Sequence, residues 1–148
     1  MDCLICRIND GSEPAPHGLL YCDDLWVVRH MPPPYALAGW FILQTRRHCP
    51  ELAEFTDAEA ASFGPMLRRC ERAVREATGA ARIYTGSLGE KVRHFHCHMV
   101  PRYEPAPQGA LGWETFGLER RAAAGEFHVE AAEVDRVVRA FMARLTAG

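Results

Sequence analysis

The stretch His94-Phe95-His96-Cys97-His98-Met99-Val100 sets imidazoles and apolar side chains in strict alternation. Successive side chains of a strand point to opposite faces, so the pattern predicts one face carrying His94, His96 and His98 and a core face carrying Phe95, Cys97 and Met99. Same-face neighbours lie roughly 6–7 Å apart, near enough for adjacent rings to reach one phosphate or one metal ion. Imidazole suits either task, being nucleophilic when neutral and a donor when protonated. A merely solvated strand face needs polar residues but not imidazole three times over. His-x-His on a strand also occurs in catalytic zinc sites, so ligation of a metal by all three rings stands beside nucleophilic chemistry at this point.

Working outward, Ile83 to Ser87 and Val92 to Val100 have strand character and are separated by a Gly-bearing loop, which predicts an antiparallel pair with the histidines on its second strand. Further upstream, Leu19-Leu20-Tyr21 and Trp26-Val27-Val28 flank Asp23-Asp24 as a β-hairpin. The run Pro32-Pro33-Pro34 forces an extended loop, and Trp40 to Leu43 resumes as a buried strand. Thr56-Asp57-Ala58-Glu59 matches a capping box, in which hydroxyl and carboxylate satisfy orphan amides at a helix start. The helix that follows carries Phe63, Met66, Leu67, Cys70, Ala73, Val74 and Ala77 as one apolar stripe, and Gly79 terminates it. Pro101 to Gly112 reads as loop, and Val134, Val137, Val138, Phe141 and Leu145 mark a C-terminal amphipathic helix.

The 148 residues suit one domain, read here as 1–148, with a sizeable core and no linker. A net charge of -2 gives no electrostatic footprint for a nucleic acid duplex, although a few local cations can still hold a small nucleotide. The N-terminus has Asp2 and two cysteines where a signal peptide needs a basic region and an apolar run, so a cytoplasmic location is expected. Apolar stretches such as Leu25 to Val28 and Gly39 to Leu43 are strand-sized, and no membrane contact is expected.

In a reducing compartment the six cysteines read as ligands and core fillers rather than disulfides. Cys3 and Cys6 have the C-x-x-C spacing that lets two thiolates meet one tetrahedral ion, and His48 and His94 can complete a Cys₂His₂ set. A pair of reduced or redox-active thiols is the other reading of the two cysteines. Cys22, Cys49, Cys70 and Cys97 are small buried side chains on this view. His17, His30 and His128 lack spaced partners and read as surface or loop residues, and Arg68-Arg69 and Arg120-Arg121 as solvated faces.

His94 to Val100, followed by Pro101-Arg102-Tyr103, resembles the signature of the histidine triad (HIT) family, His-φ-His-φ-His-φ-φ with φ apolar. The similarity extends to Cys3-Leu4-Ile5-Cys6, to Gly39 to Leu43 with Arg46-Arg47-His48 after it, and to Gly89, and so covers most of residues 1–103. The resemblance implies an α+β fold, an antiparallel sheet of about five strands with one long central helix and a C-terminal helix, usually dimerised edge to edge. It implies a nucleotide hydrolase or nucleotidyl transferase acting on phosphoramidates or dinucleoside polyphosphates. His96 would be the nucleophile, forming a nucleotidyl-histidine, and His98 would contact the phosphate. In the family's zinc-bearing members the quartet matching Cys3, Cys6, His48 and His94 holds a structural zinc, which assigns His94 to structure and leaves His96 and His98 for chemistry.

Three departures mark this chain. Trp40 stands where many members have a fourth His in the active-site network. His30 is the nearest candidate at the place of the residue that grips the ribose. Glu90-Lys91 follows Gly89 where Gln-Ser/Thr is common, setting a carboxylate beside an ammonium at the expected phosphate contact. The alternative function, from another class, is a nucleotide-binding or regulatory protein that keeps the fold and the zinc but has lost turnover.

Overall fold

The computed structural model describes residues 2–147. Its centre is a five-stranded antiparallel sheet in the order β1-β2-β3-β5-β4, formed by β1 (Tyr21–Cys22), β2 (Trp26–His30), β3 (Phe41–Thr45), β4 (Arg82–Gly86) and β5 (His96–Arg102). The α+β class and the strand number agree with expectation.

One face is the main core. Trp26 and Val28 of β2, Phe41 and Leu43 of β3, and Cys97 and Met99 of β5 pack beneath two helices, α2 (Asp57–Thr78) and α5 (Ala131–Ala147). Alternation along each strand brings these residues to one side. Met66, Cys70, Ala73 and Val74 are the buried residues of the α2 stripe, and Val134, Val137, Val138, Phe141 and Leu145 those of α5. The rings of Phe41 and Phe141 stack at 4.0 Å, joining sheet to helix.

The predicted capping box is present: the Thr56 hydroxyl accepts from the Glu59 amide at 3.2 Å, and the Glu59 carboxylate accepts from the Thr56 amide at 2.8 Å. Glu59 is buried and also takes two bonds from the Arg47 guanidinium, at 2.8 and 2.7 Å. The helix start and the basic dipeptide before His48 therefore share one carboxylate. At the other end of α2, Gly79 closes the helix in the left-handed conformation. Gly39 also has positive φ, and a Cβ there would meet Thr78 Cγ2 at 2.6 Å, so glycine lets the segment entering β3 press against the helix end.

Several boundaries differ from the sequence reading. β1 begins at Tyr21, because Asp23 Oδ1 accepts from the amides of Leu25 and Trp26 and sets the hairpin register from the turn side. β5 begins at His96, not Val92: the His94 amide bonds back to the Val92 carbonyl, and Phe95 donates to Cys49. β5 also runs on through Pro101 and Arg102, expected as loop; β3 has ended by then, and Pro101 needs no donor toward it.

Three short helices were not anticipated: α1 (Leu4–Asp10), α3 (Trp113–Phe116) and α4 (Leu118–Ala123). Each is too short to show a full amphipathic period, and packing holds it. Ile5 and Ile8 are the buried residues of α1. Leu118 and Ala122 join Ala36, Leu37, Trp40, Val100 and Ala110 in a second, smaller apolar cluster. No helix among the described residues is long and apolar enough to cross a membrane.

Candidate active site

Arg29 of β2, Ile42 and Gln44 of β3, and His96 and His98 of β5 occupy the sheet face away from the main core, as the alternation requires. A cleft of about 280 Å³ opens over them, closed on one side by α1 and on another by the Leu88 to Val92 loop. Glu90 and Lys91 line this cleft with His96 and His98, so the structure brings four of the expected site residues together.

The ring of His96 is tautomerically defined. Its Nδ1 lies 2.6 Å from the His94 carbonyl oxygen, an acceptor only, so Nδ1 carries the proton and Nε2 keeps its lone pair. Burial, partly opposed by that bond, keeps the ring's pKa below its ordinary value, so the lone pair is available at neutral pH.

His98 stands 5.2 Å away, ring centre to ring centre. Its Nδ1 is 3.0 Å from the indole Nε1 of Trp40, which can only donate. Burial, helped by the His96 ring and the Arg29 cation, pushes the His98 pKa down to about 4. Trp40 thus enters the active-site network in the place expected for a fourth His.

Arg29 was not singled out from the sequence. It is 8 % exposed, and its Nε donates to Gln44 Oε1 at 3.0 Å. No carboxylate lies within ion-pair distance of it among the described residues. Burial lowers its pKa only to about 10, so the site holds a fixed positive charge without a counter-ion. The signal available in the sequence was a cation that follows the apolar run Trp26-Val27-Val28 within one strand.

His30 requires a correction. It points to the opposite face, wholly buried against Phe41, with Nδ1 2.7 Å from the Met31 carbonyl and Nε2 accepting the Gly39 amide at 3.0 Å. Strand parity separates it from Arg29, and both its nitrogens are occupied, so it meets no ribose. His17 lies in a turn, as expected of a loop residue, with its Nε2 2.9 Å from the Tyr35 hydroxyl and its Nδ1 3.2 Å from Asp135.

Behind the cleft lies a second cluster. The ligand atoms of Cys3, Cys6, His48 and His94 all lie within 4.8 Å of one another. His94 Nδ1 is 3.5 Å from each sulfur, and His48 Nδ1 is 3.4 Å from the Cys6 sulfur. A tetrahedral ion with bonds of about 2.3 Å to sulfur and about 2.0 Å to nitrogen has S···N edges of about 3.6 Å, which the three nitrogen–sulfur distances match. His94 Nε2 donates to the Thr45 carbonyl at 2.8 Å, which leaves Nδ1 unprotonated toward the sulfurs. Without a cation, burial and the neighbouring Cys3 push the Cys6 thiol up to about 11, as expected for two sulfurs that cannot ionise side by side unaided.

Alternating histidines on β5, a defined Nε2 lone pair and a Cys₂His₂ cluster at the N-terminus together match one family. A model of the HIT domain matches residues 13–105. The chain belongs to the HIT family. Protein hit of Bacillus subtilis (strain 168) is 24% identical over 119 residues, covering 77% of this chain and 80% of that protein. Among solved structures, a Hit-like protein involved in cell-cycle regulation from Bartonella henselae superposes with a TM-score of 0.72 at 15% identity, covering 97% of this chain and 96% of the other. A Zn-bound histidine triad family protein from Mycobacterium smegmatis superposes with a TM-score of 0.69 at 21% identity, over 99% and 95%. At these identities the structural likeness establishes the HIT fold.

Proposed function

We propose that this HIT protein, working as one domain, is a nucleotide hydrolase or nucleotidyl transferase that acts through a covalent nucleotidyl-histidine on His96. The observation that carries this reading is the hydrogen bond from His96 Nδ1 to the His94 carbonyl. It leaves an unprotonated Nε2 on the cleft face beside a buried cation and a second imidazole. In the first step the Nε2 lone pair forms a bond to the α-phosphorus, and the bond to the leaving group breaks with its electron pair going to the departing atom. In the second, the oxygen of water or of another acceptor forms a bond to phosphorus and gives up its proton to solvent, as the P–N bond breaks and the lone pair returns to Nε2. Arg29 offsets charge on the phosphoryl oxygens, and His98 donates from Nε2. Lys91 and Glu90 sit at the cleft rim, where the ammonium can meet a further phosphate.

On the same reading Cys3, Cys6, His48 and His94 hold a structural zinc that ties the N-terminus to the strand bearing the nucleophile. The zinc bound by the Mycobacterium smegmatis protein, which shares the fold, supports this. Nucleotides as substrates, a homodimer and a cytoplasmic location belong to the same proposal, supported by family membership and the sequence reading. The deciding experiment is intact-protein mass spectrometry of the His98→Ala variant mixed with a panel of nucleoside phosphoramidates and dinucleoside polyphosphates. A mass gain of one nucleotidyl group, absent when His96 is also replaced, is expected. No adduct and no turnover by the wild-type protein across the panel would instead favour a nucleotide-binding or regulatory role.

A further inference from the structure

We infer that Trp40 locks His98 as a neutral Nε2–H donor, and that this site therefore cleaves phosphoric anhydrides, whose leaving group departs as a phosphate anion, in preference to phosphoramidates. The inference rests on the reading of His96 as nucleophile and narrows its substrate class.

Trp40 Nε1–H has no acceptor capacity, so the partner nitrogen 3.0 Å away must present a lone pair. The neutral His98 ring then has its one proton on Nε2. A doubly protonated His98 would set two N–H groups against each other at that distance, and among the described residues the indole makes no other hydrogen bond.

The indole cannot turn aside. Trp40 is 2 % exposed and is packed by Leu37, Val100 and Leu118, with the Phe116 ring set edge-on at 6.1 Å. The ionisable groups that face His98 are His96 on its own strand, Arg29 from β2, Glu90 and Lys91 from the loop above, and Glu119 from α4. Arg29 and His96, the two groups that bear on its charge most directly, oppose a second proton.

A neutral imidazole gives a hydrogen bond through Nε2–H but does not surrender that proton, since its conjugate base would be an imidazolate. Loss of an amine from phosphorus requires a proton on the departing nitrogen. When an anhydride is cleaved instead, the P–O electron pair passes to an oxygen already stabilised as phosphate. That oxygen needs only the His98 hydrogen bond and the Arg29 charge. His98, held neutral, supplies the hydrogen bond that an anhydride requires and withholds the proton that an amidate requires.

Two measurements test this. Nitrogen-15 NMR of ¹⁵N-histidine-labelled protein without substrate reads the His98 tautomer. The wild type should hold Nε2–H alone from mildly acidic to neutral pH, whereas Trp40→Phe should give a mixture and take up a second proton at higher pH. Kinetics on adenosine and guanosine pairs, each nucleoside monophosphate joined either to a nucleoside diphosphate or to a primary alkylamine, read the leaving-group preference. The wild type should favour the anhydride by at least about 10²-fold in kcat/KM, the scale of a general-acid contribution. Trp40→His, which can accept or donate, should shift the ratio toward the amidate by at least about 10-fold.

Melting curves confirm that each variant is folded, and the two replacements keep the test open if one is not. An Nδ1–H or doubly protonated His98 in the wild type overturns the lock. Equal cleavage of both substrates, or an unchanged ratio in Trp40→His, overturns the preference even if the lock is observed. Absence of turnover on every substrate removes the catalytic reading and the preference together, and the NMR result still decides the tautomer.

Discussion

The backbone carbonyl of His94 accepts the Nδ1–H of His96 at 2.6 Å, while the His94 ring presents its own Nδ1 to the sulfurs of Cys3 and Cys6, 3.5 Å from each. One residue therefore touches both the Cys₂His₂ cluster and the proposed nucleophile, through its side chain and its main chain respectively. Displacing the His94 backbone would weaken the hydrogen bond that keeps the proton of His96 on Nδ1.

His96→Ala is expected to lower kcat by at least about 10³-fold, because removing a nucleophile deletes the covalent route, while His98→Ala loses on the order of 10²-fold. His96→Ala should melt within a few degrees of wild type, whereas His98→Ala should melt lower, because the buried Trp40 indole loses its acceptor. Turnover by folded His96→Ala at the wild-type rate on a confirmed substrate would sink the mechanism.

Protein purified without added metal should contain about one equivalent of zinc, and Cys3→Ala/Cys6→Ala should contain close to none. Chelation should lower the melting temperature and the activity together, because the ion binds the folded arrangement and holds α1 to β5. His94→Ala should lose metal, stability and turnover at once, unlike either cleft histidine. Elemental analysis, melting curves and steady-state rates on the same samples check all three statements.

Acid should weaken the fold through His30. Burial holds this ring neutral in the folded state down to about pH 4, whereas an unfolded chain protonates it below about pH 6.5. Between those values the unfolded chain binds more protons, so stability falls as pH is lowered through that window, with a limiting slope of about 1.4 kcal/mol per pH unit for one group. Urea midpoints from pH 8 to 4.5 should decline less steeply in His30→Gln than in wild type. Parallel curves would show that His30 is not the group responsible.

Gly39→Ala should be destabilised by about 2–4 kcal/mol, the sum of a left-handed backbone and a methyl driven onto Thr78 Cγ2. Thr78→Ser removes that Cγ2 and keeps the hydroxyl that bonds the Val74 carbonyl. The double variant should therefore recover part of the loss. Additive free energies in this cycle would mean that the two residues do not meet as described.

The elements legible in the sequence were those with a full period. The α2 stripe, its cap and its terminal glycine, and the five apolar residues of α5, could be read because 3.6-residue repetition accumulates over several turns. α1, α3 and α4 span at most two turns and owe their form to contacts with distant residues, so nothing local announced them. The Cys3, Cys6, His48 and His94 cluster could be assembled from residue types and family resemblance. The role of Arg29 could not, because a cation within a strand looks the same whether it meets solvent or a closed cleft. His30 failed for the complementary reason: position along the chain suggested the cleft, and strand parity placed it one residue out of phase, in the core.

Glu59 closes the α2 cap and pairs with Arg47, whose neighbour His48 belongs to the metal cluster. The first turn of the long helix and the segment leaving β3 consequently cannot open independently. In native-state hydrogen exchange the amides of Glu59 and Ala60 should share one opening free energy with the backbone around His48, forming a single cooperative unit of the energy landscape. Metal occupancy should then be felt as slower exchange at the start of a helix that supplies no ligand.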